Sequence, residues 1–433
     1  MSLLIKKGKV IDPASSCEDI FDILIEGEII RKIEGNINFP AKKVIDAEGK
    51  IVIPGLVDMH THLRQPGRED EETIRTGTMA AARGGFTTIC CMPNTDPPID
   101  TPSVVEYVYK EAEKNGLVEV LPYGAITLGR KGERLCEMGR LKKAGVVGFS
   151  DDGRWVVNSG LMRRAFEYVN MLNLPLISHC EDPHLAGEGV MNEGYWSTIL
   201  GLPSIPPEAE EIAIFRDISL LKMTNSRLHI AHLSTKKGTE LVKKAKKEGL
   251  NLTAEVTPHH IALSEEDVES FDPNTKVSPP LRSREDVEAL KKALKENVID
   301  VIATDHAPHS QEEKELEYTR APSGVVGLET ALSIVIKELV NPGFLTLSDA
   351  IAKLTINPSK ILGIDRGKIK EGGVANLAIV DLHKSWEVRK EDFFSLSKNS
   401  PFIGWILPAK VEFTIFKGKI VYTSKMEDNK MRK

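Results

Sequence analysis

His60 and His62 close a short apolar run, residues 56–62, that follows Ile53-Pro54-Gly55. On a strand, side chains two apart share a face, so the two imidazoles point the same way. Arg64 follows two residues later. Two imidazoles with a guanidinium beside them suit a metal site that also holds an anionic substrate. An isolated His-x-His is more often a pair of core or surface histidines. The chemistry therefore depends on whether the chain supplies further ligands.

Other apolar runs end in residues of the same kind. Asp151-Asp152-Gly153 follows one, His179-Cys180-Glu181-Asp182 a second, His232 a third, and Thr304-Asp305-His306-Ala307-Pro308-His309 a fourth. Singly, each has an ordinary explanation. An aspartate after a strand commonly caps the next helix, and a histidine on an apolar strand is usually a satisfied core residue. Convergence of histidine and aspartate on one rim favours metal binding. Imidazoles with carboxylates suit zinc, manganese, iron or cobalt, with zinc the default for hydrolysis. Four histidines and two aspartates exceed one tetrahedral site. They suit two ions ~3.5–4 Å apart with a carboxylate between them and a water acidified near neutral pH. That chemistry is metal-assisted hydrolysis of an amide- or ester-like bond, or its reverse.

The elements that must position these residues alternate along the middle of the chain. Eight short apolar runs, 56–62, 87–91, 118–123, 146–150, 174–178, 228–233, 252–256 and 298–304, are separated by charged, helix-compatible segments such as 103–114, 160–171, 208–224, 238–247 and 283–296. This pattern predicts an α/β fold, a (β/α)8 TIM barrel over 54–366, with chemistry at the C-terminal ends of its strands. Both chain ends are β-rich by alternation. Residues 1–53 and 367–433 are expected to form one small, discontinuous β domain. Residues 415–421 echo residues 5–11, each reading apolar, then Lys-Gly-Lys, then apolar.

Composition narrows the function classes. The 433 residues are 41% hydrophobic and 28% charged with a net charge of -6, as for a globular enzyme without a dominant basic patch. Nucleic acid is not expected as a partner, and no run approaches the ~18 apolar residues of a membrane span. The N-terminus lacks the apolar stretch of a signal peptide. Five scattered cysteines form neither a disulfide framework nor a zinc knuckle. A reducing cytoplasm is the expected setting.

The His60-x-His62, His179, His232 and Asp305 set resembles the amidohydrolase superfamily. Longer strings narrow it. Pro54-Gly55-Leu56-Val57-Asp58-Met59-His60-Thr61-His62-Leu63-Arg64, Met92-Pro93-Asn94-Thr95, Asp151-Asp152-Gly153 and Gly324-Val325-Val326-Gly327-Leu328-Glu329-Thr330 are similar to the long, bacterial dihydroorotases. The resemblance covers nearly the whole chain. It implies reversible cyclisation of N-carbamoyl-L-aspartate to L-dihydroorotate and water, in pyrimidine synthesis. It also implies two zinc ions. His60 and His62 hold one, with Asp305 beside it, and His179 and His232 hold the other. Many amidohydrolases bridge the ions with a carboxylated lysine; none stands at the end of the fourth run, and the match picks Asp152 as the bridge. Asp305 is the implied general base and acid. Arg64, Asn94 and His309 are the implied carboxylate ligands, and backbone at Pro322 and Gly324 meets the pyrimidine edge. Ser278 stands where the family usually carries a substrate-binding asparagine, and Asn376 where aspartate is usual. Cys180 is expected to pack, with a metal-reaching thiolate as the alternative.

The resemblance leaves open a complex with aspartate transcarbamoylase and a homodimer. Two other functions compete. One is a related cyclic amidase, a hydantoinase or allantoinase; the missing lysine and the Arg64/Asn94 pair argue against it. The other is a non-catalytic, amidohydrolase-like scaffold, against which stands the complete ligand set. The charged stretch 305–320 and the glycine-bearing 322–327 are candidates for a lid.

Overall fold

Strands from both chain ends pair in one sheet. The computed structural model describes residues 2–426. Ser2–Asp12, Cys17–Glu26, Ile29–Glu34, Lys43–Asp46 and Ile51–Pro54 join Leu377–Glu387, Ile406–Phe416 and Lys419–Thr423 in an eight-stranded sheet. The seam is antiparallel, with Val52 opposite Ile379. Alternating Leu3, Ile5, Ile23, Ile25, Val52 and Ile379 bury one shared core.

The two Lys-Gly-Lys echoes fold differently. Lys417-Gly418, both at positive φ, form the two-residue turn between Ile406–Phe416 and Lys419–Thr423. Asn376 Oδ1 accepts from Lys417 N at 2.9 Å and so anchors that turn. At the N-terminus the same residues lie inside one strand, where Lys7 at φ 56 makes a bulge between Ile5 and Gly8.

The middle of the chain closes into a barrel of parallel strands. Leu56–Thr61, Phe86–Cys91 and Glu119–Pro122 form one arc; Leu176–Ser178, Leu228–Ile230, Leu252–Val256 and Val301–Ile302 form another. The fourth expected run is no regular strand. Phe149 alone bridges Gly124 and Leu176, and a Cβ on neighbouring Gly148 would sit 2.9 Å from both Ile177 and Tyr123. Close approach at a glycine, with no side chain to pack, explains the shortened pairing. A bridge from Thr61 to His306 and a His62 N to His306 O bond at 2.8 Å close the circle. Helices Pro102–Asn115, Ser159–Leu172, Glu208–Thr224, Lys236–Lys247 and Arg284–Lys295 lie where the charged segments predict them. Among the described residues, no helix is long and apolar enough to cross a membrane.

Not all of the C-terminal region stays in the sheet. Residues 388–405 cross to the barrel, where Phe393 and Phe402 bury themselves beside Val277, Val325 and Val326. These are large apolar rings, and the barrel's rim offers the apolar surface that the sheet's edge lacks.

Candidate active site

The strand ends bring His60, His62, His179, His232, Asp152 and Asp305 together. Asp152 faces both histidine pairs. Its Oδ2 lies 3.4 Å from His60 Nε2 and 3.5 Å from His62 Nε2. Its Oδ1 lies 3.6 Å from His232 Nε2 and 3.8 Å from His179 Nδ1. Asp305 Oδ1 is 3.0 Å from His62 Nε2 and 3.4 Å from His60 Nε2. Asp151 turns the other way: its carboxylate accepts from Ile126 N, Thr127 N and Thr127 Oγ1 and pins the preceding loop.

Surrounding side chains orient these groups. Glu255 Oε1 holds His60 Nδ1 at 2.5 Å, and its Oε2 lies 3.0 Å from His229 Nε2. Asn94 Oδ1 pairs with His62 Nδ1 at 2.8 Å, so His62 donates there and keeps Nε2 bare toward the aspartates. Thr304 bonds Asp58 through Oγ1 at 2.6 Å, which ties the first strand to the last directly before Asp305. Three site residues, Arg64 (φ 59), His232 (φ 31) and Asp305 (φ 48), hold left-handed backbone. Such strain persists only where surrounding contacts over-determine it, and it gathers at functional sites.

A cavity of about 230 Å³ opens over this floor. His62, Arg64, Asn94, Asp152, His179, His232, Ser278, Asp305, His309 and Gly324 line it. Arg64 Nη2 and His309 Nε2 approach to 3.2 Å. Gly324 has φ 145, and a Cβ there would meet Ala307 Cβ and O at 2.8 Å. Only glycine lets this wall approach so closely. Two expected members do not line the cavity. His60 is fully buried beneath it. Pro322 sits behind the wall, where its carbonyl accepts from Lys314 Nζ at 3.0 Å; Ser323 takes the lining position. Lys314, in helix Gln311–Lys314, also bonds Gly324 O at 3.1 Å, so the two candidate lid stretches are tied to one another.

Burial disfavours charge on every group here, and neighbours decide the outcome. For His60, Asp152, Asp305 and Glu255 outweigh desolvation and raise its pKa well above that of free imidazole. For His62 desolvation prevails and lowers it. Asp152 and Asp305 stay below the usual carboxylate range because His60 and its fellow histidines overcome their burial. Glu255 is likewise brought to about 2 by His60 and His229. Burial pushes the Cys180 thiol well up, and its Sγ faces Asp217 Oδ2 at 3.6 Å, which favours packing over a metal-reaching thiolate.

The donor set fits divalent cations. His60 Nε2 and Asp152 Oδ1 are buried yet have no hydrogen-bond partner among the described residues. Buried polar atoms are rarely left so, and both point into the ligand cluster. Ligand atoms of His60, His62 and Asp305, and those of His60, Asp152 and His232, each lie within 4.8 Å of one another. His179 Nδ1 lies beside this second group, 2.8 Å from His232 Nε2.

A protein-family model described as dihydro-orotase-like matches residues 49–238. A dihydroorotase from Caldanaerobacter subterraneus subsp. tengcongensis is 53% identical over 422 residues, which cover 98% of this chain and 97% of that one. The chain belongs to the dihydroorotase family. A second dihydroorotase, from a Thermoanaerobacter species, is 52% identical across 100% of both chains. Among solved structures, an L-hydantoinase from Arthrobacter aurescens superposes with a TM-score of 0.88 at 28% identity, covering 97% of this chain and 96% of that one. A dihydropyrimidinase from Brevibacillus agri, at 23% identity and a TM-score of 0.86, shares the fold over 98% and 96% of the two chains. The dihydroorotase family is metal-dependent, and the histidine–aspartate groups are the candidate ligands in this member.

Glu255, Glu71 and Asn399 emerge only from the structure. Glu255 had a signal in the sequence, a lone carboxylate in the apolar run Leu252–Val256. Asn399 had none: it lies about 90 residues from the groups it serves.

Proposed function

We propose that this chain interconverts N-carbamoyl-L-aspartate and L-dihydroorotate, a cyclic-amide hydrolase run in either direction. One observation carries the reading. A carboxylate facing two histidine pairs, Asp152, and a guanidinium beside an imidazole, Arg64 with His309, occupy one small cavity. In this reading a substrate's amide lies over the ligand cluster and its carboxylate against the guanidinium. On the same reading His60, His62 and Asp305 would hold one zinc ion and His179 and His232 the second, with Asp152 as the carboxylate the two would share. Bound there, the ions supply Lewis-acid polarisation of the amide carbonyl and a water of lowered pKa.

The chain's own residues do the rest. In ring opening, Asp305 takes a proton from the attacking water and delivers it to the ring nitrogen as the C–N bond breaks. In ring closure it takes the proton from the carbamoyl amide and returns it to the departing water. Asn94 keeps His62 in register, and Glu255 does so for His60. Ser278 offers one hydroxyl where the family carries an amide, so it reaches the substrate less far. The division into a barrel over 54–366 and a β-rich part from 1–53 and 367–433 belongs to the same reading. So do a cytoplasmic location, in keeping with five free cysteines, and assembly with aspartate transcarbamoylase or a second copy.

Side-by-side assays of L-dihydroorotate, hydantoin and allantoin test the activity. Turnover of dihydroorotate is expected; turnover of hydantoin with dihydroorotate inert would overturn the assignment. Asp305→Asn should lower turnover roughly 10²–10⁴-fold. Metal analysis of the purified protein reads identity and count directly.

A further inference from the structure

Glu71 lies in the loop between the first barrel strand and helix Ile74–Arg83, and it is fully buried. Its neighbour Glu72 is buried too, but bonds to Ser395, Leu396 N, Thr76 and His306 and so serves the frame. The partners of Glu71 are of another kind. Oε1 holds His309 Nδ1 at 2.7 Å and accepts from Arg68 Nη2 at 3.0 Å. Oε2 lies 3.1 Å from Arg64 Nε, off the N–H direction, which is aimed at Pro308 O at 3.0 Å. One carboxylate thus touches both Arg64 and His309, and these two approach each other to 3.2 Å on the cavity wall.

We propose that Glu71 is a positioning residue that presents Arg64 and His309 as a single carboxylate-binding unit and so sets the enzyme's demand for an acidic substrate. The inference rests on the substrate assignment above. Three physical facts support it. An arginine stem carries large rotamer entropy, and fixing Nε through Pro308 and Glu71 leaves the Nη edge for an incoming carboxylate. A hydrogen bond at Nδ1 fixes the orientation of His309, so Nε2 stays beside Arg64 and Ser323 O, which is 2.9 Å away. A buried guanidinium without a counter-charge is costly, and Glu71 provides that charge from the side away from the substrate. Glu71, His309 and Glu313 also lie close enough to resemble a cation site. Arg68 already bonds both carboxylates, to Glu313 at 2.7 Å, and with Arg64 supplies the positive charge that a metal would bring.

The test is the steady-state kinetics of the metal-loaded enzyme on L-dihydroorotate. Parent turnover comes first: an inactive parent overturns the substrate assignment itself, and with it this inference. With an active parent, Glu71→Gln should raise KM roughly 10–100-fold, the loss expected of a buried charge-assisted contact, with kcat within about 3-fold. Metal content should not change. In an Arg64→Ala background, Glu71→Gln should add clearly less to KM than it does alone, because part of its effect passes through Arg64 and the rest through His309. Glu71→Asp, which keeps the charge at shorter reach, should fall between parent and Gln. It also serves as the readout if the Gln variant fails to fold. An unchanged KM, a loss confined to kcat, or a full further loss in the Arg64→Ala background overturns the proposal.

Discussion

At one end of the cavity, six candidate ligand side chains lie at or after the barrel's strand ends and its irregular fourth run; at the other, Arg64, His309 and Gly324 stand on loops held by residues from distant parts of the chain. The ligand end is fixed by backbone pairing. Parallel strands set the spacing of His60, His179, His232 and Asp305, and single buried partners such as Glu255 and Asn94 trim each ring. The carboxylate end has no such ladder. Glu71 comes from the loop after the first strand, Lys314 from a one-turn helix, and Asn399 from the segment that leaves the terminal sheet. On the proposed roles, a ligand cluster set by the strands and a separately braced wall let chemistry and substrate choice change independently.

Perturbing each end should produce different symptoms. The largest effect is expected at the ligand end. Glu255→Gln should weaken metal affinity roughly 10–100-fold, measured by competition with a chelator, while KM for dihydroorotate on the reloaded enzyme stays near that of the parent. An equal rise in KM would erase the distinction between the two ends.

At the carboxylate end, Asn399→Ala should act by contrast on recognition. Its Nδ2 bonds Ala307 O and Gly324 O at 3.0 Å each, and its Oδ1 accepts from His309 N at 3.2 Å. Loss leaves buried backbone groups unpaired, at about 1–3 kcal/mol of stability in denaturant unfolding. KM should rise and metal content should hold. Loss of metal from this variant would show that the wall and the centre are mechanically one unit.

The smallest effect concerns Lys314. Burial lowers its pKa to about 7, with Lys276 adding to that and Asp272 and Glu313 opposing it. From about pH 7 to the free-lysine value near 10.4, the unfolded chain holds a proton that the folded residue has lost. Its contribution to unfolding free energy therefore rises with pH across that window. The stability of the parent minus that of Lys314→Met should increase between pH 7 and 9.5 in denaturant titrations. A flat difference would mean that Lys314 keeps its proton and binds Pro322 and Gly324 as an ammonium throughout.

What was legible in the sequence was what local periodicity controls. Period-two alternation marked the terminal strands, short apolar runs marked those of the barrel, and a polar residue closing a run marked the candidate ligands, because in a parallel barrel all those ends meet on one rim. Alternation let only one of Asp151 and Asp152 face the axis, and the family resemblance, not the periodicity, picked Asp152. Even there, local pattern misjudged the fourth run, where Gly148 lets neighbours crowd in, and it does not distinguish the two Lys-Gly-Lys segments, a bulge in one place and a hairpin turn in the other. Tertiary structure alone decided the rest. Asn94 turned out to hold His62, Pro322 to lie behind the wall, and Glu71 and Asn399 to brace it. These roles depend on contacts between residues from 8 to 238 positions apart, such as Asn399 with the backbone of His309 and Glu71 with its ring. No local periodicity encodes such pairings; they exist only once loops from separate parts of the chain are packed against the same rim.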